Sequence, residues 1–336
     1  MRMALPPQPW PTGETEALEP LVRRVLAPNP SPFTYTGTQT YLVGAGAEIA
    51  VIDPGPDEPD HLEALLAAIS DAQVTAICCT HTHRDHSPAA APLAERTGAP
   101  IVGCAPLVIE SGAPRVDAPF DREYRPDRVL GDGDQLSGPG WTLTAIATPG
   151  HTSNHLCYAL EETGALFTGD HVMGWSTSVV VPPDGDMADY MASLDKLYRR
   201  GDRVYYPAHG PAVEKPRQLV RGMIGHRRAR ERQIVRLLGE ASAAMCAPAQ
   251  AGASGSIGTA GGTRSLPAAQ RQSILSDAEG GVEGQGLTIA ALVPKMYKGV
   301  DQRLWPAAAQ SVKAHLIELE RRGAVSRSGD VWTIRV

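Results

Sequence analysis

Apolar residues along this chain fall into two alternating rhythms. Short β-branched or aromatic runs at residues 39–43, 48–53, 74–80, 141–147, 165–168 and 203–206 have the length and bounding Gly, Pro or Asp of strands. Between and after them lie stripes of helical spacing: Leu62, Leu65, Leu66 and Ile69 within residues 59–70, a further helix over 88–97, and Met187, Tyr190, Met191, Leu194 and Leu197 behind Asp186, which suits an N-cap. Gly201 supplies that helix's stop. A longer helical pattern covers 215–240. Residues 33–53 read as a hairpin turning at 44–47, and 103–135 as surface loops with short strands.

The rhythm fails from 241 to 286, where Ala, Gly, Ser, Thr and Gln replace apolar periodicity, so this stretch is expected to be a flexible linker. Beyond it, helices over 287–297 and 307–322 precede a hairpin over 324–336, the order of a small winged-helix-like domain. The division expected is an N-terminal extension over 1–32, a catalytic domain over 33–240, the linker, and the winged-helix-like domain over 287–336.

Composition narrows the picture. At 336 residues with 42% apolar content, the chain can bury a sizeable core. No run reaches transmembrane length, and the proline-broken start with Glu14, Glu16 and Glu19 does not resemble a signal or transit peptide. Five cysteines without a CxxC spacing read as reduced thiols, mostly buried, and the expected location is cytoplasmic. Residues 286–336 carry eight Lys/Arg against four Asp/Glu, net +4, whereas the whole chain carries −6, leaving −10 elsewhere. A basic module invites a nucleic-acid reading, although winged helices also serve in packing and homodimer formation.

The densest chemistry is the stretch HTHRDH at 81–86, directly after the strand at 74–80. Three imidazoles and a carboxylate crowded together at a strand end are the donor types that a borderline divalent cation selects. Three further strands end in the same manner: TPGH delivers His151, GD delivers Asp170, and PAHG delivers His209, each beside a Gly or Pro that permits a tight turn.

HTHRDH, TPGHTSNH, FTGDH and PAHG, in this order, resemble the metal motifs of the metallo-β-lactamase superfamily. The resemblance implies an αββα sandwich with a dinuclear site at one edge. Carried over residue by residue, His81, His83 and His151 resemble the ligands of one metal, Asp85, His86 and His209 those of the other, and Asp170 a bridge between them. Zn2+, two per chain, suits such a set, with Mn2+ or Fe2+ also compatible. A hydroxide held between two cations would serve as the nucleophile, with Asp85 and Asp170 central to catalysis. His155, which recurs in TPGHTxxH, and His171 lie beside ligands without filling a ligand position; roles in catalysis, in hydrogen bonding and in packing are all open to them. Asp53 is expected to support the ligands from behind, and His61 to lie on the surface.

Eight basic residues in 215–240, including Arg227 and Arg228, resemble the HRxxRExQI segment of the β-lactamase-like protein 2 branch. That branch includes a single-strand endoribonuclease and fungal enzymes that release polyketides from carrier protein as thioesterases. The leading expectation is therefore hydrolysis of single-stranded RNA, with Arg227 and Arg228 neutralising phosphates. The alternative is a thioesterase or lactone hydrolase acting on small esters.

Overall fold

The computed structural model describes residues 10–107, 120–246 and 286–335. Two sheets face each other. The first has seven strands in sequence order, β1 (Thr15–Glu19), β2 (Val22–Leu26), β3 (Gln39–Val43), β4 (Glu48–Ile52), β5 (Gln73–Cys79), β6 (Ile101–Gly103) and β7 (Arg128–Val129). The second has five, β8 (Gln135–Gly138), β9 (Trp141–Ala147), β10 (Leu156–Leu160), β11 (Ala165–Gly169) and β12 (Val204–Pro207), with β12 at one edge and β8 at the other.

Strand β10 shows why this chain makes a sandwich. Leu156, Tyr158 and Leu160 face the core between the sheets, whereas Cys157 and Ala159 join a second core beneath the helices. Both faces of the strand are apolar, so the sheet must be covered on both sides. Helices α1 (Pro59–Ile69) and α2 (Ala90–Thr97) cover the first sheet through Leu65, Ala68, Ile69 and Leu93. Helix α3 (Met187–Arg199), whose Asp186 side chain caps the amides of Ala188 and Asp189, covers the second with Tyr190, Leu194 and Leu197. The layers are αββα, as the motifs imply.

Two boundaries differ from those read off the sequence. Residues 15–26, assigned there to an N-terminal extension, form a hairpin of the first sheet, with Val22↔Val43 and Leu26↔Gln39 in register. Arg23 and Arg24 obscure this strand in sequence, yet Val22 and Val25 are fully buried. At the other end, α4 (Pro216–Cys246) runs six residues past Glu240, into the stretch assigned to the linker. Val220, Met223 and Ile224 pack under the second sheet, and Ile234, Leu237 and Leu238 belong to the core of the C-terminal domain. One continuous helix therefore serves both domains. The remainder of the expected linker, 247–285, lies outside the described residues.

The C-terminal domain comprises β13 (Leu287–Thr288), α5 (Ile289–Met296), α6 (Trp305–Arg321), β14 (Val325–Ser328) and β15 (Val331–Ile334), with strand order β13-β15-β14. Leu292, Val312, Leu316 and Trp332 fill its core. Among the described residues, no helix is long and apolar enough to cross a membrane.

Candidate metal centre

Strands β9 and β11 both run antiparallel to β10, so they point the same way, and β12 is parallel to β11. Their carboxyl ends therefore deliver His151, Asp170 and His209 to one edge of the second sheet. Strand β5 of the first sheet ends in HTHRDH, and the two sheets are tied at this edge by Leu156 N–H donating to the Thr80 carbonyl at 2.8 Å and Gln39 N–H to Ala208 at 2.8 Å. Topology alone thus gathers candidate ligands separated by up to 128 residues, His81 to His209.

Seven donor side chains meet there in two groups: His81, His83, His151 and Asp170, then Asp85, His86 and His209, the atoms of each group lying within 4.8 Å of one another. Within the first, His81 Nε2 is 3.0 Å and His151 Nε2 3.1 Å from His83 Nδ1. In the second, Asp85 Oδ2 lies 3.4 Å from His86 Nε2 and 3.2 Å from His209 Nε2. Asp170 faces both, with Oδ2 at 3.6 Å from His151 Nε2 and 3.7 Å from His86 Nε2, and Oδ1 at 3.3 Å from His209 Nε2. Donors placed about 2.0–2.2 Å from a tetrahedral ion stand roughly 3.3–3.6 Å apart, so these spacings fit a metal. His86 Nε2, Asp85 Oδ1 and Asp170 Oδ1 are buried without hydrogen-bond partners among the described residues, which a coordinated cation would satisfy.

The second ring nitrogens fix the tautomers. His151 Nδ1 meets the Val179 carbonyl at 2.7 Å and His209 Nδ1 the Gly37 carbonyl at 3.2 Å. A carbonyl only accepts, so both Nδ1 atoms donate and each ring turns its Nε2 toward the site. Asp53 does the same for the first sheet. Its carboxylate takes His86 Nδ1 at 3.0 Å, the Thr80 amide at 2.7 Å and the Thr80 hydroxyl at 2.8 Å, and that hydroxyl in turn lies 3.0 Å from His81 Nδ1. The residue sits in the left-handed region at φ 48°, so the backbone bends to place this carboxylate under two imidazoles.

The two groups differ in charge. Burial, then the neighbouring imidazoles of His86, His83 and His151, hold His81 well below the ordinary histidine range. For His209 burial acts in the same direction, but the Asp170 and Asp85 carboxylates overcome it and push the imidazole up to about 10; His86 is raised by Asp85, Asp170 and Asp53 in the same way. A divalent cation held there would supply the positive charge these carboxylates attract, and its uptake would release protons from the second group.

Three further histidines, His155, His171 and His61, lie outside the two donor groups. His155 Nε2 accepts the Asp170 amide at 3.2 Å and its Nδ1 faces the Thr148 hydroxyl at 2.9 Å, so it fixes the backbone of Asp170. Gly169 is required beside it, at φ +49°, because a Cβ there would stand 2.6 Å from His155 Nε2. His171 is fully buried against Tyr190, 4.7 Å between ring centroids, and burial brings it to about 3. His61 is not on the surface. Only 1% exposed, it packs under the sheet with Nε2 3.1 Å from the Thr40 hydroxyl, because α1 turns that position toward Gly55 rather than toward water.

Residues 34–209 match the metallo-beta-lactamase superfamily model, and 288–332 match the beta-lactamase associated winged helix domain. The chain belongs to the metallo-beta-lactamase superfamily. Among relatives of this superfamily, it is 35% identical over 227 residues to the "Atrochrysone carboxyl ACP thioesterase" of Aspergillus fumigatus, a match covering 66% of each chain. It is 30% identical over 328 residues to the "Beta-lactamase-like protein 2 homolog" of Drosophila melanogaster, covering 92% of this chain and 91% of that one. A metallo-beta-lactamase family protein from Thermus thermophilus superposes with a TM-score of 0.66 at 22% identity, over 95% of this chain and all of that one, which shows the shared fold.

Of what holds this superfamily site from behind, the sequence pointed to Asp53 and to none of the other contacts. Gln39 donates to the Pro207 and Gly210 carbonyls at 3.0 and 2.7 Å, and Ser178 and Val179 bond Asp170 and His151. These contacts join residues distant in sequence, several through main-chain atoms, and leave no motif. Arg227 is the other surprise. Expected to contact phosphate, it is 3% exposed and donates to the Ser178 carbonyl.

Proposed function

We propose that this chain is a dinuclear, zinc-dependent hydrolase of acyl thioesters or related esters. The observation that carries this reading is the placement of Asp170, whose carboxylate faces imidazoles of both donor groups. His81, His83 and His151 would hold one cation and Asp85, His86 and His209 the other, with Asp170 shared. Divalent cations held there supply Lewis acidity at the scissile carbonyl and make water a nucleophile at neutral pH. The chain itself orients the ligands through Asp53, Val179 and Gly37, and His155 fixes the turn bearing Asp170. Cys78, Cys79, Cys104 and Cys157 are buried, and burial pushes Cys157 up to about 12, so none of these four competes as a thiolate nucleophile.

Two lines of support favour a thioester over RNA. The fungal relatives carry the name of carrier-protein thioesterases. Several of the basic residues expected to meet phosphate are committed elsewhere: Arg227 to Ser178, Arg230 to the Met296 carbonyl at 2.6 Å, Arg322 to Glu231 at 2.7 Å, and Arg321 to Asp186. RNA remains a second reading on one observation. Arg221, Arg228 and Arg232 are exposed on α4 at spacings that put them on one face.

Parallel assay of the purified protein on an acyl thioester, a lactone, a lactam and single-stranded RNA, with elemental analysis, tests the proposal. Thioester turnover with about two zinc ions per chain is the expected result. Zinc-loaded protein that cleaves RNA and leaves the thioester intact would overturn the substrate assignment, and active protein free of metal would overturn the mechanism.

A further inference from the structure

The segment between Asp170 and α3 forms one wall of the metal centre, and two of its adjacent residues act on two different candidate ligands. Ser178 Oγ donates to the Asp170 carbonyl at 2.5 Å and lies 3.0 Å from that of His171, while the Val179 carbonyl takes His151 Nδ1 at 2.7 Å. Whatever fixes the Ser178–Val179 pair therefore fixes the backbone of Asp170 and the ring of His151 together.

That anchor comes from another element. Arg227 of α4 reaches across α3 and donates Nη2 to the Ser178 carbonyl, with its guanidinium 5.0 Å from the centre of the Tyr190 ring. Tyr190 OH in turn donates to the His171 carbonyl at 3.1 Å, bracing the same turn from its other side. Arg227 is 3% exposed and its Nε has no hydrogen-bond partner among the described residues. A buried cation that bonds a main-chain carbonyl is a poor device for stability, because desolvating the charge costs more than one such bond returns. An apolar side chain of similar length would fill this space at lower cost. The cation does supply a rigid, planar donor that holds one carbonyl in one place.

We infer that Arg227 is a positioning residue for the metal centre, setting Asp170 and His151 through the Ser178–Val179 segment. The inference rests on the dinuclear reading above. It also gives α4 a function beyond packing, since the helix that seats the winged-helix domain is the one that fixes the ligands.

The test uses full-length protein loaded with cobalt(II), whose visible absorption reports ligand geometry, together with thioester kinetics. Arg227→Met should lower kcat by about tenfold to a hundredfold, the usual cost of losing a group that orients a ligand, with KM nearly unchanged. Its cobalt bands should shift, and EDTA should strip the metal faster. Arg227→Lys should recover part of the loss, and Ser178→Ala, which removes no buried charge, should shift the bands in the same direction. Arg230→Met, which loses the Met296 contact but not Ser178, should keep the parent spectrum. If Arg227→Met fails to fold, Ser178→Ala decides. Parent spectra in both Arg227→Met and Ser178→Ala would overturn the inference while leaving the metal reading intact. Parent protein that takes up no cobalt would overturn that reading itself.

Discussion

The strand-end rim and the α4 face are both dense in charged or titratable side chains, yet they use them in opposite ways. At the rim, seven donors converge on a common space, and each imidazole whose second nitrogen meets a carbonyl or carboxylate aims its other nitrogen inward. Along α4, the cations diverge: Arg227 goes inward to the wall of the site, Arg230 to α5, and Arg221, Arg228 and Arg232 to solvent. Convergent polar groups make a site, whereas divergent ones join elements. The count of charges in a segment does not distinguish the two; the direction of each side chain does.

The largest expected effect tests convergence directly. Asp170→Asn removes the one carboxylate that faces both groups, so thioester turnover should fall by more than about a hundredfold, beyond what loss of an orienting group usually costs. Zinc content measured on the same preparation should fall with it, while circular dichroism stays at the parent value, because the residue's hydrogen bonds to the fold run through its backbone. Activity within tenfold of the parent would mean the two groups do not act together.

This contrast also explains what was legible. HTHRDH, TPGH, GD and PAHG were readable because each is a local turn at the end of an apolar strand, with ligand and turn chemistry encoded within six residues. Helix α3 was readable from its stripe and its Asp186 cap. His61 was not, because a histidine on a helix gives no sign of which face meets the sheet. Nor was Arg227, because its partner is a carbonyl 49 residues away and a main-chain acceptor has no sequence identity. The β1–β2 hairpin was missed for a related reason, two arginines interrupting a strand whose Val22, Val25 and Leu26 are buried.

A core substitution in the winged-helix domain should separate stability from ligand geometry. Leu316→Ala empties a fully buried position packed with the α4 residues Ile234 and Leu238, and should cost about 2–5 kcal/mol. Thermal denaturation should report the loss, and below the transition the cobalt spectrum should match the parent, since Arg227 lies nearer the start of α4. A shifted spectrum would mean the winged-helix core itself tunes the rim.

A comparable effect is expected from pH. Burial brings His61 to about 4, below the ordinary 6.5. Between those values the unfolded chain binds a proton that the folded one refuses, so this contribution is intact above pH 6.5 and is lost as pH falls toward 4. The full difference is on the order of 3 kcal/mol. His61→Gln keeps a donor for the Thr40 hydroxyl and cannot titrate, so its melting temperature should decline less than the parent's between pH 6.5 and 4. Parallel curves for the two proteins would show that His61 is protonated in the fold.

The smallest effect concerns the exposed face of α4, and there the two substrate readings part. Arg228→Ala combined with Arg232→Ala removes two cations that touch solvent and leaves Arg227 in place. A thioester reacting at the rim has no reason to sense them, so kcat/KM on a small thioester should stay near the parent value. RNA would behave otherwise. Each phosphate neutralised on a single strand releases condensed counterions, giving a slope of about −0.7 in log affinity against log salt, so losing two contacts should flatten the slope by roughly 1.4. Applied to Arg227 instead, the same measurement would mislead, because removing that buried residue perturbs the ligands and lowers hydrolysis of either substrate. Only the solvent-facing pair isolates phosphate binding from the chemistry of the rim. A flattened slope accompanied by loss of RNA cleavage, with thioester turnover absent in the parent, would move the substrate from thioester to RNA and leave the metal centre as described.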